Sequence, residues 1–257
     1  MFFKKKEDKK FESKLILGMI ILKDKNSFDL DSFIKDYNNN YSDRIKEISG
    51  DNTSAAFKID NEMVAIAHMP IPIPPDDIEG IFEYAYNWQT ALDEIKDHKS
   101  HLIVSILKGG PDQIKRYKIF TQIICSLLRT TNSIGVYKGN QSLLIPKDDY
   151  INEAEFMSSD YLPLNLWIYI GIRNNDRGNS GYTYGLKEFN KTEMEVLDSS
   201  RNLGDIRGFL FNIASYVLDY DVTFKDGQTC GLSEDEKIAI KFSKGQFVEG
   251  NTFKLAY

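Results

Sequence analysis

The chain contains only three histidines, so proton transfer or metal binding by imidazole would have to use His68, His98 or His101. His98 and His101 are three positions apart, a spacing that on one face of a helix brings two rings toward one ion, with His68 or Asp97 as a further ligand. Here the pair crosses from a helical pattern into a strand pattern, where the rings need not converge. A histidine at a helix end also has an electrostatic role, because a cation is favourable there. We expect no metal site, no cofactor and no assignable catalytic residue.

A glycine-containing turn, Lys108-Gly109-Gly110-Pro111, stands between an apolar run and a helical pattern, where backbone amides commonly bind phosphate. The turn lacks the spacing of either glycine-rich nucleotide-binding motif. Pro111 removes an amide, and Asp112 adds a negative charge where the phosphate would lie. The turn is therefore predicted to be structural.

Nucleophilic catalysis has no recognisable motif in this chain. Cys125 and Cys230 have no histidine beside them in sequence, and the G-x-S-x-G pattern does not occur. Two cysteines are too few for a disulfide scaffold, so a reducing cytoplasm is the expected location. Acidic residues are plentiful, but no spacing singles out a carboxylate pair for acid–base catalysis.

A polar stretch from Arg173 to Leu186 combines aromatic residues, two arginines and several amides. Protein-binding surfaces are enriched in aromatic residues and arginine. We predict a binding surface on an exposed turn here. Its residues are Arg173, Asn175, Asp176, Arg177, Tyr182 and Tyr184. The alternative is an ordinary hairpin with solvent-facing polar side chains.

A central unit of strand, glycine turn and helix is expected to position these residues. The run His101–Leu107 is apolar and rich in β-branched residues, which is typical of a strand buried on both faces. Residues 111–128 carry apolar side chains at intervals near 3.6, which predicts a helix with a broad buried stripe. Pro111 is suited to the first helical position, and Asp112 to the positive end of the helix dipole.

The remaining pattern predicts further strands and helices on both sides of this unit. Strands are predicted at 15–22, 45–49, 54–59, 62–68, 133–137, 142–145, 162–173 and 181–184, with two or three more closing the chain. Helices are predicted at 28–37, 78–86, 88–97, 146–157 and 202–219. The proline-rich segment 69–75 is predicted to be an extended crossing that buries Ile71 and Ile73, with a proline-rich partner ligand as the alternative.

Several strand pairs are too close in sequence for crossover helices, which predicts an α+β fold with mixed or partly antiparallel sheets and helices packed on them. Residues 1–12 are expected to form a charged, disordered arm. Residues 13–97 are expected to form a β-α-β-β-β subdomain with the proline-rich crossing, packed as one unit with a central and C-terminal subdomain at 98–257. Strand-helix-strand-strand order recurs near residues 15–68, 101–145 and 193–242, which suggests related half-domains.

The composition bounds the partners that the protein could have. A net charge of −6 and a pI near 5.2 argue against nucleic-acid binding, which draws on a basic face. The apolar run 15–22 is shorter than the roughly 20 residues of a bilayer span, and charged residues follow it directly, so no membrane segment is expected.

Seven stretches, taken in order, connect the chain with a known family. They are PIPIP, WQTALDEIKDHKSHLIVSIL, GVYKG, LPLNLWIYIGI, YTYGLKEFN, EMEVLDSS and FLFNIASYVLDYDVTFKDGQTCGLSEDEKIAI. From about residue 15 to 243 the chain resembles a bacterial family known only as domain of unknown function 4261. The resemblance implies a soluble bacterial α+β protein without established catalytic residues, so it assigns no functional residue to this chain.

The leading hypothesis is a non-enzymatic cytoplasmic protein that binds another protein, with neutralisation of a toxin as its most concrete form. An acidic, aromatic-rich chain is suited to a basic partner, because complementary charge raises the encounter rate. One alternative is an enzyme whose site is assembled from His68, His98, His101 and nearby carboxylates. The other is an adaptor or subunit of a larger assembly, for which a large apolar surface patch would be typical. The sequence does not indicate an oligomeric state.

Overall fold

The computed structural model describes residues 14–231, 233 and 236–257, so the predicted arm at residues 1–12 lies outside the described part. Two β-sheets form the framework. Sheet 1 contains β1 (Ile16–Leu22), β2 (Ile45–Gly50), β3 (Ser54–Ile59), β4 (Glu62–Met69), β5 (Ser100–Lys108), β6 (Ser133–Lys138) and β7 (Leu143–Pro146). Sheet 2 contains β8 (Tyr169–Asn175), β9 (Gly178–Tyr184), β10 (Met194–Ser199), β11 (Thr229–Cys230), β12 (Ile238–Lys244) and β13 (Asn251–Leu255).

Six α-helices accompany the sheets in the described residues. They are α1 (Leu30–Asn40), α2 (Pro75–Ile78), α3 (Ala91–Ile95), α4 (Gln113–Thr130), α5 (Lys147–Glu155) and α6 (Leu203–Asp219). Short 3-10 helices occur at Glu79–Tyr84, Gly139–Gln141, Leu164–Leu166 and Leu186–Phe189. In the described ranges, no helix combines the length and the apolar character needed to cross a bilayer.

The strand order confirms the predicted α+β class. Sheet 1 has the order β2-β3-β4-β5-β1-β6-β7, and every neighbouring pair is antiparallel. Sheet 2 has the order β11-β12-β13-β10-β9-β8 and is mixed, because β10 and β13 run parallel. The boundary predicted between residues 97 and 98 falls within sheet 1, where β4 pairs with β5.

The two sheets repeat one arrangement. The segment β1-α1-β2-β3-β4 corresponds to β10-α6-β11-β12-β13, and the hairpin β6-β7 occupies the place that β9-β8 has in sheet 2. The relative strand directions agree throughout, and the difference is β5, which is inserted between β4 and β1 while β13 lies directly beside β10. The structure thus contains the same topology twice, in line with the half-domains suggested by residues 15–68 and 193–242.

Helix α4 lies at the centre of the core. Twelve of its 18 residues are buried, which leaves little of its circumference exposed. One continuous apolar cluster joins α4 to residues of both sheets, such as Val104 in β5 and Ile170 in β8. The helix begins at Gln113, two residues later than predicted, because Asp112 is its N-cap and accepts a hydrogen bond from the Lys115 amide.

Three sequence predictions were wrong in detail. The helices expected at 78–86 and 88–97 are shorter, since a 3-10 turn replaces most of the first and only Ala91–Ile95 is α-helical in the second. The strand expected at 162–173 is confined to Tyr169–Asn175, because Pro163 opens a 3-10 turn that buries Leu164 and Leu166. The proline-rich crossing buries Ile73, whereas Ile71 is 54% exposed.

The glycine turn before α4 binds an anion, and that anion is a carboxylate of the chain itself. Glu62, at the start of β4, accepts a hydrogen bond from the Gly110 amide at 2.9 Å and pairs with Arg116 of α4 at 2.8 Å. A Cβ at Gly109 would overlap the Glu62 carboxylate. Arg116 also donates to the carbonyls of Lys14 and, more weakly, Ile106, so a fully buried ion pair ties four parts of the chain together.

Removing one partner of this pair leaves an uncompensated buried charge, which costs about 3–5 kcal/mol. We therefore expect Glu62→Gln and Arg116→Met each to lower the free energy of unfolding by that amount, as measured by urea denaturation. The double variant should lose less than the sum of the two, since neither charge is then left alone.

Lys115→Ala is the matched control, because Lys115 pairs with Asp60 at a site where both side chains are at least 40% exposed. Its loss should stay within about 1 kcal/mol. Equal losses for Lys115→Ala and Arg116→Met would contradict a special role for the buried pair.

Candidate functional site

The three histidines do not meet in one cleft. In the register of β4 and β5, His68 lies opposite Leu102, and Met69 lies opposite His101. Neighbouring side chains of a strand point to opposite faces of the sheet, and Leu102 belongs to the core on the α4 side. His68 and His101 therefore project from opposite faces of sheet 1.

Backbone groups contact three of the six imidazole nitrogens. His98 lies beyond α3, which ends at Ile95. Its Nε2 accepts the Ile73 amide at 2.7 Å, and its Nδ1 lies 2.7 Å from the Ile95 carbonyl. His101 Nδ1 lies 3.0 Å from the Ile71 carbonyl, and burial lowers the pKa of both His68 and His101. Among the described residues, no three histidine, cysteine or acidic side chains are grouped to hold a metal ion.

The predicted surface at Arg173–Leu186 is the hairpin of β8 and β9. Asp176 and Arg177 form its exposed two-residue tip, with Asn175 half-buried beside them and Arg177 3.3 Å from the Asp198 carboxylate. Arg173, Tyr182 and Tyr184 share one face of the hairpin, away from the tip. Tyr182 is only 6% exposed, so its predicted exposure was wrong. The six residues form two separate patches.

A row of aromatic rings crosses that face of sheet 2. Tyr169 contacts Tyr84 and Tyr86 on one side, with ring centroids 5.6 and 6.0 Å away, and Tyr182 on the other at 6.1 Å. Tyr182 in turn stacks on Phe247 at 5.3 Å. Gly171 makes room for this row, because a Cβ there would overlap the Tyr182 ring. We call Tyr84, Tyr86, Tyr169, Tyr182 and Phe247 the aromatic row.

The loop that carries Phe247 is held by one buried carboxylate. Glu195 of β10 accepts hydrogen bonds from the amides of Gln246, Phe247 and Val248 at 2.8–3.2 Å. Its other oxygen lies 2.8 Å from the Lys254 ammonium group. Burial alone would raise the pKa of Glu195, but the hydrogen bonds from Lys254 and the loop amides outweigh it and lower that pKa.

We expect Glu195→Gln to lower the free energy of unfolding by about 2–3 kcal/mol at neutral pH, because hydrogen bonds to a charged group are lost. The lowered pKa means that the carboxylate stabilises the fold above the ordinary glutamate pKa of about 4.3 and loses this effect as the pH falls. The difference between wild type and variant should therefore shrink in acid, as measured by denaturant unfolding from pH 7 to pH 3. A difference that grows in acid would contradict this assignment.

A cavity lies between the two sheets. It has a volume of about 350 Å³ and is bounded by the edge strands β7 and β8, by α5, and by the segment that follows the 3-10 helix Glu79–Tyr84. The residues that define this inter-sheet cleft are Tyr86, Leu144, Glu153, Phe156, Ile170 and Arg207. Small-molecule and anchor-residue pockets begin at about this size.

Four polar side chains in the cleft form a chain of hydrogen bonds. Arg207 of α6 donates through Nη2 to Asn165 Oδ1 at 2.8 Å, and Asn165 Nδ2 donates to Glu153 at 3.0 Å. Arg207 Nε donates to the Tyr86 hydroxyl at 3.0 Å, and that hydroxyl donates to the Ile170 carbonyl at 3.0 Å. Asn165 thus separates the arginine from the glutamate, and Tyr86 fixes the guanidinium from the other side.

Two acidic segments border the cleft. The stretch before Tyr84 carries Asp76, Asp77, Glu79 and Glu83, and α5 carries Asp148, Asp149, Glu153 and Glu155. We call these eight carboxylates the acidic rims. The same two segments contain one cation, Lys147, so their combined net charge is more negative than the −6 of the whole chain. Asp149 and Glu153 of these segments line the cleft, and Arg207 is the cation among the residues that line it.

Sequence reasoning missed this cleft. Its polar residues come from four separated stretches, and nothing in the sequence indicates that Tyr86, Asn165 and Arg207 meet. The one available signal is that Arg207 interrupts the apolar pattern of α6 directly after the buried Ile206.

Lys138, outside the cleft, is an ionisable group that is buried without a charged partner. It is 1% exposed, its ammonium nitrogen lies 4.8 Å from the Tyr117 ring centre, and its hydrogen-bond acceptor is the Leu166 carbonyl at 3.2 Å. No carboxylate pairs with it among the described residues. Burial therefore lowers the pKa of Lys138 to about 7.

Replacing this lysine with a neutral side chain of similar length should stabilise the protein. Because the folded pKa lies below the unfolded one, stability rises with pH between about 7 and about 10, and the cost of burying the charge is greatest below pH 7. Lys138→Met should raise the free energy of unfolding by about 1–3 kcal/mol at pH 7, with a gain that shrinks toward pH 10. Exposed Lys99→Met is the control and should show no such pH dependence; a destabilised Lys138→Met would refute the assignment.

Comparison with known proteins gives one match. Residues 182–256 match the family described as domain of unknown function 4261. No curated protein and no solved structure matches the chain. The matched segment runs from Tyr182 in β9 through α6 to the end of β13, a shorter part of the chain than the resemblance over residues 15–243 suggests. The similarity to the family of domain of unknown function 4261 thus lies in this segment, which makes up most of sheet 2.

Proposed function

We propose that this chain is a non-enzymatic bacterial protein of the cytoplasm that binds a basic protein partner at the inter-sheet cleft. Neutralisation of a toxin is the most concrete form of this function. The observation that carries the proposal is the cleft itself, where aromatic side chains surround an arginine that no carboxylate of the described chain neutralises.

The side chains at the cleft are of the kind that dominate protein–protein binding. Tyrosine and arginine are enriched among the residues that contribute most to affinity, and they act in pockets that exclude water. Tyr84 and Tyr86 line the cleft and begin the aromatic row, while Phe156 stands at its border with 69% of its surface exposed. A partner that covered Phe156 would bury apolar area that the folded chain leaves in water.

The acidic rims favour a partner of opposite charge. Carboxylates on both sides of a binding site attract a basic molecule and speed its association, most strongly at low salt. Immunity-type proteins that bind basic toxins use this complementarity, and their own fold need not contain catalytic groups. Cys125 and Cys230 are both free thiols, which suits the reducing compartment proposed here.

The proposal is tested with the protein encoded by the gene next to this one. Co-expression with this chain should restore the growth of cells that produce the neighbouring protein, and the two purified proteins should form a complex. Asp148→Lys with Asp149→Lys reverses charge on one acidic rim and should slow association about tenfold at low salt, with a smaller effect at high salt. Surface plasmon resonance measures both.

The matched control is Asp31→Lys with Asp43→Lys, which makes the same charge change on and near α1, away from the cleft. It should leave the association rate within about twofold of wild type. A neighbouring protein that neither forms a complex nor is neutralised would refute the toxin form. Equal effects of the two double variants would refute the cleft as the binding site.

A further inference from the structure

We propose that Arg207 binds the C-terminal carboxylate of a basic segment of the partner, which enters the inter-sheet cleft by its last residue. This inference rests on the proposed function and defines what the cleft recognises. Its basis is the unused hydrogen-bonding capacity of Arg207 and Glu153, together with the charge of the acidic rims.

Arg207 keeps donors that nothing in the described chain uses. A guanidinium has five N–H groups, and here one from Nε reaches Tyr86 and one from Nη2 reaches Asn165. Nη1 makes no hydrogen bond, and no carboxylate of the described residues pairs with the side chain. A planar guanidinium with free donors matches a carboxylate in a bidentate arrangement.

The surroundings hold the guanidinium ready for a ligand. Glu153 is the nearest carboxylate in the hydrogen-bonded chain, and Asn165 lies between the two, accepting from Arg207 and donating to Glu153 Oε1. Tyr161 donates to the same oxygen at 2.9 Å, and Oε2 of Glu153 has no hydrogen-bond partner among the described residues. The cleft thus offers free donors on Arg207 and a free acceptor on Glu153, both in fixed positions, which lowers the entropy cost of binding.

The charge of the rims limits which carboxylate can enter. Asp149 and Glu153 line the cleft, and the two segments that border it carry six more carboxylates, so a carboxylate enters most readily on a molecule that is otherwise cationic. A basic protein segment meets this condition, because its lysines and arginines face the acidic rims while its terminal carboxylate reaches Arg207.

A terminal residue matches three features of the cleft at once. Its carboxylate suits Arg207, its own amide N–H can donate to Glu153 Oε2, and an apolar side chain fits beside Leu144 and Ile170. A volume of about 350 Å³ accommodates one such residue with its backbone groups. An aspartate or glutamate side chain inside a basic segment would provide the carboxylate without the adjacent N–H.

The test uses a fluorescent hexapeptide, Lys-Gly-Lys-Gly-Lys-Leu, as the free acid and as the C-terminal amide, with affinity measured by fluorescence anisotropy. Wild type should bind the acid about 10- to 100-fold more tightly than the amide, since a charge-assisted hydrogen-bonded pair is lost in the amide. Arg207→Gln should abolish this preference, and Arg207→Lys should retain part of it. Arg44→Gln, at an exposed position directly before β2, is the matched control and should preserve the preference.

The outcomes separate this inference from the proposed function. Equal binding of acid and amide, weakened by Asp148→Lys with Asp149→Lys, would refute carboxylate recognition and leave the basic-partner proposal standing. Failure of both peptides to bind at 1 mM (roughly −4 kcal/mol) would refute carboxylate recognition, and the complex with the neighbouring protein would then decide the proposed function separately. Two further results would overturn the assignment. One is a C-terminal amide peptide that regains affinity when its leucine is replaced by glutamate, and the other is free leucine that binds as tightly as the peptide acid. Thermal unfolding confirms that each variant is folded.

Discussion

The buried ion pair between Glu62 and Arg116 is the constraint on which the arrangement of sheet 1 and α4 depends. Its carboxylate occupies the place before a helix where other proteins bind phosphate, and Gly110 donates the amide that a phosphate would use. Burying two charges costs free energy unless the remaining donors and acceptors of the pair also find hydrogen-bond partners. That condition fixes the start of β4, the turn after β5 and the first turns of α4 relative to one another. The Arg116 bond to the Lys14 carbonyl adds the segment that leads into β1.

With α4 fixed in this way, the two sheets share one core and the same topology, and the equivalent edge strands β7 and β8 border the same cleft. An exposed edge strand invites pairing with another chain, and proteins commonly protect such edges. Tyr86 covers β8 by donating to the Ile170 carbonyl, and the same hydroxyl accepts from Arg207. Protection of the edge and orientation of the arginine therefore depend on one oxygen atom.

The parts of this fold that the sequence predicts are those whose signals are local. The stripe of α4, the three strands between residues 45 and 68, and the helix at 203–219 each follow from a period of 3.6 or 2 within one stretch. The run LPLNLWIYIGIR could not be divided in advance, because an apolar stretch does not distinguish a buried strand from a buried 3-10 turn. Tyr182 was predicted to be exposed, because its own stretch of sequence does not show what covers it. The covering ring is Phe247, on a loop that Glu195 holds in place. The cleft depends on Tyr86, Glu153, Asn165 and Arg207, and only the folded chain brings these residues together.

The contrast between the buried Arg116 and the half-buried Arg207 supports a role in binding for Arg207. Arg116 has what stability requires, a carboxylate at 2.8 Å and acceptors for three of its four remaining N–H groups. Arg207 and Glu153 belong to one chain of hydrogen bonds, but Asn165 lies between them. The guanidinium and the carboxylate therefore do not pair directly, and both charges stay partly unsatisfied. Such an arrangement stabilises the fold less than a direct ion pair would. Side-chain arrangements that are not optimal for stability concentrate where proteins bind other molecules. Because the acidic rims repel free anions, the unsatisfied charge is better suited to a group delivered by a cationic partner than to a small anion from solution.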